Sequence, residues 1–272
     1  MIIIFDTFGG LCNQFYDIIC GINFCIIHNI SFTFRYCSFR NPNLNSWHDT
    51  PFDKLFDTSF LNKYNTLYIN FDNLNIPLTH KNTYNLDGKL SVHLNINELN
   101  DIIKIQKKYI ILKQFWPIHK FSNIVDNNIV SHILPSKRLI ELYNKIKNDL
   151  LPNNEKYNFI HYRYEIDFTS HFNLSVDSLA NVILNTTKKF KVPELKIYIA
   201  TSNIKNIIDL NNIELNNFII TKDEDKLTDY NFEELAFIDF MFGLNSNEVY
   251  GHNKSSFSCM LNNIKCTNNY YN

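Results

Sequence analysis

Glycine is scarce, with six in 272 residues, and several of the short signatures that announce a function are missing altogether. Lys and Arg number 26 against 27 Asp and Glu, a formal net charge of -1 without a long basic run. That balance argues against nucleic acid as the main partner, because such binding needs a concentrated cationic surface. The six cysteines (Cys12, Cys20, Cys25, Cys37, Cys259, Cys266) include no Cys-x-x-Cys pair and show no framework spacing, so they read as reduced thiols. No His-x-x-x-His pair, Gly-x-Ser-x-Gly elbow or phosphate loop with Gly-Lys-Ser/Thr occurs, which leaves metal-hydrolase, serine-hydrolase and phosphate-loop NTPase readings without support. No apolar run reaches membrane-spanning length, since residues 18–27 are short and interrupted by Asn23. Met1 leads straight into an apolar strand without a basic leader or cleavage site, so a cytoplasmic location is expected. The sequons at Asn29, Asn173, Asn185 and Asn253 would then stay unmodified.

What is present is apolar bulk. With 45% hydrophobic and 15% aromatic residues the chain can bury a large core, in one large domain or two smaller ones. Periodicity predicts a strand over 2–6, a helix over 11–28 and a strand over 31–36. Residues 38–108 are punctuated by proline and read as loops and short helices, with a minor strand near 67–71. A buried strand over 109–116 and a helix from Ser136 to about Leu151 follow. Pro152–Glu155 is the best linker, which gives domains 1–151 and 152–272. After it the alternation restarts: strand 157–163, helix about 175–190, strands 195–201 and 217–222, helix 232–244, strand 248–251, helix 255–265. Such alternation implies parallel sheets covered by helices, with ligands beyond the carboxyl ends of the strands.

Three segments at strand ends carry candidate chemistry. Gly9-Gly10-Leu11-Cys12-Asn13-Gln14 joins the first strand to the first helix, where free N–H groups and the helix dipole favour an anion. His161-Tyr162-Arg163-Tyr164-Glu165-Ile166-Asp167 leaves the strand 157–163; alternation puts His161 and Arg163 on one face, with Glu165 and Asp167 close by. The guanidinium fork suits a diphosphate. In the third segment Asp239 interrupts an apolar helix and needs a specific donor, and Ser255-Ser256-Phe257 opens a helix whose first turn can receive phosphate oxygens or simply carry a serine cap.

In this order and spacing the three segments resemble the GDP-fucose-dependent fucosyltransferase superfamily, in particular the protein O-fucosyltransferase-like members with their Gly-Gly-Leu-Gly-Asn-Gln and His-x-Arg signatures. The resemblance implies an α/β fold of GT-B type, two Rossmann-like domains facing a central cleft. It also implies an inverting, metal-independent transfer of fucose from GDP-fucose to a hydroxyl of a glycan or protein, with no cofactor. By that resemblance Arg163 contacts the β-phosphate, His161 supports the donor and Asp239 meets guanine. Ser255, Ser256 and Phe257 line the diphosphate and base pocket, Gly10 and Asp167 belong to the donor side, and Asn13 lies near the phosphates and the acceptor hydroxyl. Glu165 is the candidate base. Two departures stand out: Cys12 replaces the glycine at the fourth position of the motif, which would make the turn less open, and Tyr164 replaces a second basic residue. A non-catalytic sugar-nucleotide or glycan-binding module and a metal-dependent GT-A-type enzyme using Asp223 and Asp225 are the alternatives. Lys222 and Lys226 favour a solvated turn over the latter.

Overall fold

The apolar run after Met1 becomes the central strand of the first of two five-stranded sheets in the computed structural model. The structure describes residues 1–41, 46–74, 83–85, 96–115, 127–164, 166–173, 178–201 and 218–271. These divide into two compact units, Met1–Lys137 with Asn231–Glu233, and Arg138–Tyr230 with Glu234–Asn272. The chain thus first passes between units at Lys137/Arg138, ahead of the Pro152–Glu155 linker where the sequence placed the break.

The first unit comprises β1 (Ile2–Asp6), α1 (Leu11–His28), β2 (Ser31–Asn41), β3 (Ser46–Pro51), β4 (Phe56–Asp57), β5 (Thr83–Asn85), α2 (Ile96–Ile102), β6 (Tyr109–Lys113), α3 (Asn127–Val130) and β7 (Leu134–Pro135). Its main sheet runs β3-β2-β1-β6-β5, parallel except for β3. Ile3, Ile4 and Phe5 have no exposed surface, as expected for a parallel strand covered on both faces. Helix α1 stops at Asn29, whose left-handed backbone (φ 51) lets its N–H reach the carbonyls of Cys25 and Ile26. Strand β6 is shorter than the sequence suggested because Gln114 takes a left-handed conformation (φ 56); Trp116 and Pro117 lie outside the described residues. The expected strand near 67–71 is reduced to one bridge between Phe32 and Tyr68, followed by a 3-10 helix over Phe71–Leu74.

The second unit contains α4 (Lys137–Leu150), β8 (Tyr157–His161), α5 (Ile166–Phe172), α6 (Leu179–Thr187), β9 (Lys196–Ala200), β10 (Ile219–Ile220), α7 (Phe232–Asn245), β11 (Val249–His252), α8 (Ser256–Ile264) and β12 (Tyr270–Tyr271). Helix α4 buries Leu139, Leu142, Tyr143 and Ile146, the spacing of one helical face. All five strands are parallel, in the order β10-β9-β8-β11-β12. Counted within the unit this is third, second, first, fourth, fifth, the doubly wound order of Rossmann-type sheets. The direction of winding reverses between β8 and β11, and the crevice beyond their carboxyl ends is where such sheets hold ligands. His161 ends β8 and His252 ends β11.

Candidate functional site

In the first unit the glycine turn is held by the side chains of Thr7, Gln14 and Asp17. Gly9 has a positive φ of 90°, and a Cβ there would come within 3.2 Å of Asn13 Nδ2, so the turn requires glycine at this position. Gly10 is extended, and a Cβ there would meet nothing within 4 Å. Gln14 is fully buried and uses both ends of its amide: Nε2 donates to the carbonyls of Gly9 (2.9 Å) and Ser38 (2.8 Å), while Oε1 accepts from the Thr7 hydroxyl and the Ser38 N–H. Asp17, equally buried, accepts from the Phe8 N–H at 2.7 Å. Cys12 sits inside α1, buried, rather than in the turn, so its replacement of glycine does not narrow the loop; the loop's open position is Gly9.

The second unit gathers more chemistry at its switch point. Strand β8 ends at His161, so Arg163 lies in the loop beyond the strand, not on its face, and its guanidinium stands 4.9 Å from the centre of the Phe168 ring of α5. The other edge of that arrangement is His252, whose ring meets Phe168 edge-on at 5.2 Å. Tyr271 on β12 fixes the loop start: its hydroxyl donates to the His161 carbonyl (2.7 Å) and accepts from the Arg163 N–H (3.2 Å). Asp167 lies on the backbone of α5, and Glu165 is outside the described residues.

His161 has a defined protonation state. It is buried, packs on Phe257 at 4.2 Å between ring centres, and its Nδ1 lies 2.8 Å from Ser258 Oγ. Ser258 Oγ also accepts from the His252 N–H at 3.1 Å, so one hydroxyl in the first turn of α8 ties the ends of β8 and β11 together. Burial, together with the charges of Arg163 and Lys222 and neighbouring His252, holds the His161 pKa well below its ordinary value, so the ring is neutral. Gly251 makes this contact possible: a Cβ there would lie 2.2 Å from Ser258 Oγ.

The other members of the third segment fall nearby in the same unit. Ser255 is the N-cap residue of α8 but its side chain makes no capping hydrogen bond, so the bland reading of it as a serine cap does not hold. Phe257 is buried and Ser256 half-buried in the first turn of α8. The donor that Asp239 needs is supplied within the chain: Oδ1 accepts from the Tyr198 hydroxyl (2.8 Å) and Oδ2 from Lys222 Nζ (2.6 Å). Lys222 also pairs with Glu224 at 3.2 Å. Burial works against the Lys222 charge, but the Asp239 and Glu224 carboxylates outweigh it and raise its pKa. Lys222 is therefore a buried cation and not the edge of a solvated turn, whereas Lys226, which pairs with Asp223 at 3.2 Å, is exposed as expected. Among the described residues no group of three or more His, Cys, Asp or Glu side chains is placed to hold a metal ion, and no helix is long and apolar enough to cross a membrane.

Sequence motifs alone could not nominate Tyr271, His252 or Lys222, and Ser258, which continues the Ser255-Ser256-Phe257 run, gave no sign of its partner. Ser258 meets His161 across 97 residues of chain and Tyr271 meets it across 110, so only the sheet order brings them together. No protein-family model matches the chain, and no curated protein matches it. Solved structures do. POFUT1 in complex with GDP is 13% identical with a TM-score of 0.65, over 98% of this chain and 94% of that one. POFUT1 in complex with GDP-fucose is 12% identical with a TM-score of 0.64, over 98% and 94%. NodZ alpha-1,6-fucosyltransferase soaked with GDP-fucose is 10% identical with a TM-score of 0.59, over 95% and 91%; a further NodZ structure is from Bradyrhizobium. The likeness runs through both units and shows a fold of GT-B type.

Proposed function

We propose that the protein is a glycosyltransferase that moves fucose from GDP-fucose to a hydroxyl of a glycan or protein, by single inverting displacement and without a metal. The observation that carries this reading is the cluster at the switch point of the second unit: a buried, neutral His161 hydrogen-bonded to Ser258, the Arg163 loop beside it and the uncapped first turn of α8. It stands on a fold shared with proteins solved with GDP and GDP-fucose. In the reaction the acceptor oxygen attacks the anomeric carbon, the bond from that carbon to the diphosphate oxygen breaks, and the electron pair leaves with GDP. Arg163, His161 and the N–H groups opening α8, with Ser255, Ser256 and Phe257, would meet the charge that grows on the departing diphosphate. The acceptor proton passes to a base, for which Glu165 is the candidate. Asn13 and Gly10 are assigned to the donor and acceptor side on sequence resemblance, as is Asp167. Asp239 is assigned to guanine on the same resemblance, and its carboxylate also holds Lys222 charged.

Release of GDP from GDP-fucose, measured with a mixed glycan acceptor set in excess chelator, tests the reading. Full turnover in chelator, lost by about a hundredfold in Arg163→Ala, is expected. Turnover that vanishes in chelator and returns with manganese would instead support a metal-dependent enzyme. GDP binding without turnover on any acceptor would support a binding module.

A further inference from the structure

The first unit holds a cavity of about 370 Å³ where β2 changes partner along its outer edge. At Phe32 that edge bridges Tyr68, and from Tyr36 onward it pairs with β3, so the intervening stretch opens onto the cavity. Phe34 stacks on Phe52 at 4.9 Å between ring centres, and both buried rings line the cavity. Half-buried Tyr36, Tyr68 and Phe71 line it as well, with the exposed Asp53, Asn70 and Asp72. Asn70 Oδ1 accepts from the Asp72 N–H at 2.9 Å, which fixes the turn and leaves the Asn70 amide as a donor beside the Asp72 acceptor.

The charge pattern selects among ligands. Arg35 commits its guanidinium to the Asp6 carboxylate, with Nε on Oδ1 at 2.9 Å and Nη2 on Oδ2, and lies over the Tyr36 ring at 4.6 Å. Its charge is thereby balanced within the wall. The remaining charged lining residues are Asp53, Asp72 and Lys54, an excess of acid that disfavours a phosphate or other anion. Ring faces carry negative electrostatic character and attract the polarised C–H bonds of a flat polyol, while carboxylates and amides take its hydroxyls. The volume lies at the lower end of small-ligand sites, about 300 to 1,000 Å³.

We propose that this cavity binds a neutral pyranose sugar, so that a saccharide unit is what the first unit recognises in the acceptor. The second clause rests on the transferase reading; the binding itself does not. Saturation-transfer NMR on the full chain without nucleotide tests it, with methyl glycosides of galactose, mannose and N-acetylglucosamine as probes and methyl glucuronide and inorganic phosphate as anionic controls. At least one neutral glycoside is expected to take up saturation at millimolar concentration, with affinity falling about tenfold in Tyr36→Ala and in the conservative Asp72→Asn. GDP affinity, titrated separately on the same variants, is expected to stay unchanged, which reports that they fold and separates failure here from failure of the transferase reading. Absence of saturation by every neutral glycoside, equal competition by the anions, or indifference to both substitutions would each overturn the proposal.

Discussion

Two buried side chains make the chemistry of single residues measurable. Ser258 Oγ lies 2.8 Å from His161 Nδ1 and accepts from the His252 N–H. In Ser258→Ala the ring loses that hydrogen bond, and histidine ¹⁵N shifts are expected to report a change in tautomer balance, with GDP affinity lower by about fivefold, the scale of one hydrogen bond. Unchanged shifts would show that Ser258 does not set the tautomer. Glu233 is the second case. Burial pushes its carboxyl up to about 7, against the pull of the Arg40 N–H, which it accepts at 2.7 Å within the first unit. A carboxyl whose pKa is higher folded than unfolded favours folding when protonated, so its contribution is present below about pH 4.5 and is lost as pH rises through about 7. The loss amounts to about 3 kcal/mol, and Glu233→Gln, which keeps an acceptor for Arg40, is expected to flatten the fall in unfolding free energy over that window. Parallel pH profiles for the two proteins would contradict it.

At the scale of elements, the short strand β12 does more than widen the sheet. It delivers the Tyr271 hydroxyl to the point where β8 becomes the Arg163 loop, donating to one backbone group and accepting from another. Tyr271→Phe keeps the ring and its packing against His252 but frees the loop start. The expected effect is a loss of about 1 to 2 kcal/mol in unfolding free energy and a larger fall in kcat than in donor affinity, because Arg163 acts on charge that develops during the reaction. Equal kcat in a folded Tyr271→Phe protein would remove the positioning role. Glycine acts at the same scale: Gly251 lets α8 approach β11 closely enough for Ser258 to reach β8.

At the scale of the whole molecule, two units built on largely parallel sheets repeat one logic, with a motif placed beyond the carboxyl end of the first strand of each. This much was legible in sequence, because α4 and α8 carry clear apolar periodicity, α1 and α7 are apolar runs of helical length, and β1, β8 and β11 are apolar runs that end at motifs. The central region was not legible: one bridge at Tyr68 and 3-10 turns leave no period to read. The site was half legible. His161, Arg163, Ser255 and Asp239 stand in recognisable runs, but the partner of Asp239 is a lysine that local composition marks as solvent-facing, and only the loop after β10 meeting the middle of α7 explains its burial. Tyr271 lies in an Asn-rich tail with no pattern of its own. The cluster of His161, Arg163 and the first turn of α8 belongs to the second unit, and its assignment can be tested by binding alone. In a calorimetric titration of GDP in excess chelator, one site is expected, with affinity at least about tenfold lower in Arg163→Ala and no comparable binding of UDP or CMP. Absence of GDP binding, a preference for UDP or CMP, or equal affinity in a folded Arg163→Ala protein would contradict the assignment of this site to a guanosine diphosphate sugar.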